Sequence, residues 1–132
     1  MTFKPKTKKE LKNAIFSYYY FEGIYDFGHI NTWDVSNITD FSHLFSEFYY
    51  FNQPLNNWDV SNATDMHNMF YACENFNQSI DNWDVSKVKD MRDMFAFCYH
   101  FNNPLNNWQI SEDTNTQDMF LMCEDLNSEF LP

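Results

Sequence analysis

NWDVSNATDMHNMFYACENFNQ occupies residues 57–78, and the near-copy NWDVSKVKDMRDMFAFCYHFNN occupies residues 82–103. The two segments carry the same Trp, Asp, Val, Ser, Met, Phe, Cys and Asn at the same offsets, 25 residues apart. A fixed period of roughly 20–50 residues indicates a repeat protein, because each unit buries its apolar face only against its neighbours. The same segment recurs because every unit must present the same apolar face to the next unit.

Aligning the rest of the chain on tryptophan extends the repeat to four units. The tryptophan column is Trp33, Trp58, Trp83 and Trp108. A phenylalanine column follows at Phe45, Phe70, Phe95 and Phe120. A cysteine column contains Cys73, Cys98 and Cys123, with Phe48 at the equivalent place in the first unit. A position that accepts either cysteine or phenylalanine is a core position, so we predict structural roles for all three columns and buried free thiols for the cysteines, with disulfides or metal binding as the alternative. The tryptophans share the strand phase of the valines, so we predict stacked core residues, with a sugar-stacking platform as the alternative.

Each unit contains two apolar patterns in succession. In WDVS, Trp58 and Val60 alternate with polar residues, which is the period of a strand. The segment DMHNMFYAC then carries apolar side chains at the i, i+3, i+4 and i+7 spacing of a helix face: Met66, Met69, Phe70 and Cys73. Asp65 precedes this segment and suits a helix N-cap. The pattern predicts an α/β solenoid of about four 25-residue coils, each with a short strand, a turn and a short helix.

The two ends of the chain depart from the repeat. Thr7 and Glu10 form a capping-box pattern, which predicts a helix start. The apolar face of that helix contains Leu11, Ala14, Ile15 and Tyr18. At the other end, the polar Asp113 and Thr116 replace apolar residues of the earlier units. We therefore predict a helical cap over residues 1–28 and a repeat domain over residues 29–132 with a degenerate C-terminal capping coil.

The stretch FNQPLNNWDVSNATDMHNMFYAC resembles the repeat of the BspA-like leucine-rich-repeat surface proteins. The likeness runs from about Ile30 to the C-terminus. The lead-in PKTKKELKNAI and the following YDFGHINTWDVSNI resemble the short versions without a signal peptide that protists and large DNA viruses encode. The resemblance implies a leucine-rich-repeat-like solenoid, a role in adhesion or protein binding, and no catalytic residues.

Charge and hydropathy restrict the classes of partner. The formal net charge is −11, with 8 Lys and Arg against 19 Asp and Glu, which disfavours nucleic acid and anionic membranes. A basic protein partner is compatible with this charge. No apolar stretch is long enough to span a membrane, and the N-terminus lacks the pattern of a signal peptide. We expect a cytoplasmic or virion-associated protein rather than one on the cell surface, and the sequence leaves its oligomeric state open.

The candidate binding residues form a row of acids and amides: Asp34, Asp59, Asp84, Asn37 and Asn62. In a strand, these aspartates point away from the Trp and Val side chains. Stacked like charges need compensation, which hydrogen bonds to nearby N–H groups and to Ser61 or Ser86 can supply. A cation such as Ca²⁺ held between adjacent coils is the alternative. We predict no metal site and no cofactor, and we interpret the four histidines as surface or loop residues because they occupy non-equivalent repeat positions.

These observations favour a non-enzymatic protein–protein interaction module. Repeat proteins without a catalytic cluster mostly bind other molecules along an extended face. The alternatives are a permanent structural component of a larger assembly such as a virion, and a cation-dependent surface adhesin.

Overall fold

The structure is a computed structural model that describes residues 1–21 and 27–132. One α-helix, α1, spans Lys8–Phe21, and two 3₁₀ turns span Ile30–Thr32 and Ser128–Phe130. The predicted helix start is confirmed, because Thr7 Oγ1 accepts the N–H of Glu10 at 3.1 Å. Helix α1 buries Leu11, Ala14 and Ile15 in the same core as the repeats. Residues 22–26 of the predicted cap lie outside the described residues.

The predicted leucine-rich-repeat-like solenoid of strand–helix coils is wrong. In the described part of the repeats, no α-helix and no strand is present. The only β-type pairing there consists of single parallel bridges that join equivalent residues of neighbouring repeats: Asp40 with Asp65, Asp65 with Asp90, and Asp90 with Asn115. Each repeat is instead a series of turns and extended connections.

Left-handed backbone conformations explain why the predicted helix does not form. Asn68 and Ala72 have φ angles of 55° and 57°, which a right-handed helix excludes. The segment forms consecutive tight turns, in which Met69 N–H and Cys73 N–H donate to carbonyls three residues back at 3.2 and 2.9 Å. The turns bury the residues predicted for the helix face. The spacing therefore predicted the buried side chains and not the backbone that presents them.

The predicted strand is interrupted by a turn that its own polar residues make. Asp59 Oδ1 accepts both the N–H of Ser61 at 3.0 Å and its hydroxyl at 2.6 Å. Such a local bond competes with sheet formation. Trp58 and Val60 are buried and Asp59 is exposed, so the alternation of burial is present without a strand.

Regular backbone hydrogen bonds join the turn segment of each repeat to the next repeat, and a few N–H groups outside it, such as those of Thr64 and Lys89, donate to the preceding repeat. In the second repeat, every other N–H donates to a carbonyl 24 residues ahead at 2.8–2.9 Å, from Met66, Asn68, Phe70 and Ala72. The alternate N–H groups close the turns within the repeat. The first and third repeats use the same pattern. Because every second N–H of the turn segment donates to a neighbouring repeat, the repeats depend on one another for their conformation.

The core consists of columns of equivalent side chains. Phe45, Phe70, Phe95 and Phe120 stack with centroid separations of 5.3, 5.5 and 5.7 Å. The Nε1–H of Trp58, Trp83 and Trp108 donates to a carbonyl of the preceding repeat, at 2.7, 3.0 and 2.9 Å. The three cysteine thiols do the same at 2.9–3.0 Å. In the last repeat Asp113 and Thr116 are exposed at positions where Val88 and Met91 are buried.

Candidate functional site

The first acidic row, Asp34, Asp59 and Asp84, repeats one geometry three times. In each case Oδ1 accepts the backbone N–H and the hydroxyl of the serine two residues later, at 3.0 and 2.6 Å. Among the described residues, the Oδ2 atoms of Asp59 and Asp84 receive no hydrogen bond, whereas Asp34 Oδ2 lies 3.0 Å from Lys4 Nζ. Each carboxylate is thus held by one oxygen, and two of the three leave the other oxygen to solvent.

Hydrogen bonding stabilises the charged form of this row. The Ser36 hydroxyl, together with the Ser36 N–H and Lys4, lowers the pKa of Asp34 to about 2. The Ser86 hydroxyl and N–H likewise lower the pKa of Asp84. The geometry agrees with the interpretation from the sequence that nearby backbone N–H groups and serine hydroxyls compensate the like charges of Asp34, Asp59 and Asp84.

The two asparagines of the candidate site differ in their contacts. Asn62 Nδ2 donates to the carbonyl of Ser36 in the preceding repeat at 2.9 Å, and Lys87 Nζ lies 3.4 Å from its Oδ1. Asn37 is exposed. Asn62 therefore joins two repeats beside the row, whereas Asn37 is exposed to solvent.

A second acidic row, Asp40, Asp65 and Asp90, lies on the parallel bridges between repeats. Each Oδ1 accepts the N–H of the residue two positions later at 2.9–3.0 Å. Each carboxylate also contacts a cationic or ionisable side chain: Lys8 at 3.0 Å, His67 at 2.6 Å and Arg92 at 2.6 Å. Asp65 is thus not a helix N-cap. These side chains compensate like charges that the parallel bridges bring together.

One cluster in the second acidic row contains three potential metal ligands. Among residues 1–21 and 27–132, Asp65, His67 and Asp90 are the only acidic, His or Cys residues that bring three ligand atoms within 4.8 Å of one another. His43 contacts His67 edge to face with ring centroids 4.8 Å apart, and burial lowers the pKa of His43. The sequence interpretation missed this cluster because it treated the histidines as isolated. The sequence signal that could have revealed the cluster is an ionisable residue two positions after the repeated aspartate, His67 after Asp65 and Arg92 after Asp90.

The residues assigned structural roles lie in the core or at its margin. The four tryptophans are only 2–3% exposed. Phe45, Phe70 and Phe95 are buried, and Phe120 is partly buried in the last repeat. The cysteines are free thiols; burial raises the pKa of Cys73 and Cys98 well above the ordinary value and that of Cys123 to about 11.

The fold defines a class of repeat protein in which 25-residue units, built of tight turns, stack through backbone hydrogen bonds and carry two regular rows of aspartates. The chain belongs to the DUF285 family, described as a Mycoplasma protein of unknown function, whose model matches residues 15–131. No curated protein and no solved structure matches the chain. Within the described residues, no helix has both the length and the apolar character needed to cross a membrane.

Proposed function

We propose that this chain is a non-enzymatic protein-binding module that contacts a basic segment of its partner through the first acidic row. The observation that carries the proposal is the repeated geometry of Asp59 and Asp84. Each has one carboxylate oxygen anchored by serine and the other turned to solvent. Oxygens anchored in this way lose little conformational freedom on binding, which lowers the cost of association.

The charge distribution supports the same function. A net charge of −11 steers a basic partner toward the surface and raises its association rate. The resemblance to BspA-like repeats also favours a binding role and supplies no catalytic residues. The four buried tryptophans do not offer the exposed stacking platform that a sugar-binding adhesin would use.

One observation favours the structural alternative, a permanent component of a larger assembly. Phe16, Tyr20, Phe21 and Tyr50 are 50–78% exposed. Large apolar side chains exposed close together mark surfaces that other proteins cover. Phe16 contacts both Tyr20 and Phe21, so part of this surface is contiguous.

The test replaces Asp34, Asp59 and Asp84 together by Asn. Asparagine retains an oxygen that accepts from the serine N–H and hydroxyl, so the turn is kept and only the charge is removed. The matched control replaces three exposed acids, Glu112, Glu124 and Glu129, by Gln. Both variants change the net charge by the same amount. Binding of a fluorescent peptide of alternating Lys and Gly is then measured by anisotropy, beside the melting temperature.

We expect the Asp→Asn variant to lose about tenfold in affinity at low salt. Its melting temperature should fall modestly, because the hydrogen bonds that lower the pKa of Asp34 and Asp84 stabilise the folded protein only while these carboxylates are charged. The control should keep most of the affinity. Equal losses in both variants would show that the peptide senses only net charge, and unchanged binding in the Asp→Asn variant would exclude this row as the contact face.

A further inference from the structure

The cluster in the second acidic row combines two carboxylates and an imidazole from consecutive repeats. His67 Nδ1 lies 2.6 Å from Asp65 Oδ1 and 3.9 Å from Asp90 Oδ2. The three side chains are 23–33% exposed, so they are sheltered yet open to solvent. This arrangement is separate from the first acidic row and does not depend on the function proposed for that row.

We propose that Asp65, His67 and Asp90 bind a divalent transition-metal ion of the zinc class. Zinc takes histidine nitrogen and carboxylate oxygen at about 2.0–2.2 Å, so tetrahedral ligand atoms lie roughly 3.3–3.6 Å apart. The three ligand atoms here lie within 4.8 Å of one another. Metal binding would lengthen the 2.6 Å contact of His67 Nδ1 with Asp65 Oδ1 and shorten the 3.9 Å separation of His67 Nδ1 from Asp90 Oδ2. A mixed nitrogen and oxygen set selects zinc-class ions over Ca²⁺ and Mg²⁺, which prefer oxygen alone. Three protein ligands leave a coordination position for water.

The backbone holds both carboxylates in place. The N–H of Met66 donates to the carbonyl of Asp90 at 2.8 Å, which fixes the second repeat against the third beside the cluster. Asp65 Oδ1 accepts the N–H of His67 at 3.0 Å, and Asp90 Oδ1 accepts the N–H of Arg92 at 3.0 Å. Asp90 Oδ2 therefore faces His67 with limited freedom. A metal ion bound here joins two repeats.

Arg92 competes with a metal ion for Asp90 Oδ2. Its guanidinium contacts Asp90 Oδ2 at 2.6 Å through Nη2 and at 3.1 Å through Nε. The Arg92 side chain is 46% exposed, so it can turn into solvent when a metal ion takes Asp90 Oδ2. Removing the Arg92 guanidinium should strengthen metal binding, whereas removing the His67 imidazole should weaken it, because the nitrogen ligand is lost.

The experiment titrates the full chain, freed of metal with a chelator, with zinc chloride by isothermal calorimetry, and repeats the titration with calcium chloride. We expect one zinc site per chain and a higher melting temperature with zinc. His67→Gln should weaken zinc binding at least tenfold, since losing a ligand costs no less than losing an outer-shell partner. Arg92→Gln should tighten it about fivefold, the effect of removing one nearby charge.

His100→Gln is the matched control. His100 Nδ1 lies 3.0 Å from Asp125 Oδ2 in an exposed pair that also joins two repeats but lacks a third ligand. This variant should bind zinc like the unmodified chain. Zinc binding that His67→Gln leaves unchanged, a preference for calcium, or no heat of binding with the unmodified chain would overturn the proposal. Asp90→Asn supplies a second test if His67→Gln does not fold.

Discussion

Trp83→Ala is the substitution that tests most directly how the repeats support one another. The indole of Trp83 is 3% exposed. Its ring stacks on Trp108 in the next repeat, with ring centroids 6.4 Å apart, and on Phe70 in the preceding repeat, with ring centroids 6.2 Å apart. Its Nε1–H donates to the carbonyl of Leu55 in the preceding repeat at 3.0 Å. One side chain thus contacts both adjacent repeats.

The magnitude follows from these contacts. Truncating a buried aromatic side chain to alanine costs about 3–5 kcal/mol of unfolding free energy. Leu55 keeps a second donor, the N–H of Trp58 at 3.0 Å, so its carbonyl is not left unpaired. The lost indole hydrogen bond then adds only about 1 kcal/mol. Against a total stability of about 5–15 kcal/mol, Trp83→Ala should remove about a quarter of it or more.

Urea denaturation followed by circular dichroism measures this loss. Trp83→Phe should cost less, because it keeps an aromatic ring and loses the indole N–H. Tyr50→Ala is the control, since Tyr50 is 78% exposed and its removal should change stability by less than about 0.5 kcal/mol. A loss below about 1 kcal/mol for Trp83→Ala would refute the argument that tryptophan columns hold the repeats together.

Three further predictions concern reactivity, backbone conformation and pH. Cys123, the least buried cysteine with a pKa of about 11, should react first with a thiol reagent in the native protein, and the other two only after unfolding; simultaneous reaction of all three would contradict this. Ala72→Gly should raise stability by about 0.5–1 kcal/mol in urea, because Ala72 has a left-handed φ of 57°, whereas Ala63→Gly, at a position without such a φ, should lower it. The pKa of Asp34 is lowered from its ordinary value of 3.8 to about 2, so the contribution of this carboxylate to stability is present above pH 3.8 and is lost as pH falls toward 2. Asp34→Asn should therefore make the melting temperature less sensitive to pH between 4 and 2. An unchanged pH dependence would argue against the hydrogen bonds of Asp34 with Ser36 and Lys4.

Much of the candidate site could be predicted from the sequence, because its residues recur at a fixed period. Asp59 and Asp84 occur 25 residues apart beside Ser61 and Ser86, so one local bond explains every copy. The cluster at His67 could not be found this way. Its ligands belong to different repeats, and only the parallel bridge between Asp65 and Asp90 brings them together.

The sequence by itself determined the period, the four units, the start of α1 and which side chains are buried. Those properties depend on spacing and on local capping bonds, which a linear pattern records. Only the tertiary structure decided the backbone of the repeats. The spacing of Met66, Met69, Phe70 and Cys73 fits a helix and a series of tight turns equally well. The choice depends on whether alternate N–H groups bond within the segment or to the next repeat. Here they bond to the next repeat, with Asn68 and Ala72 in left-handed conformations, so the stacking of neighbours replaces the predicted helix.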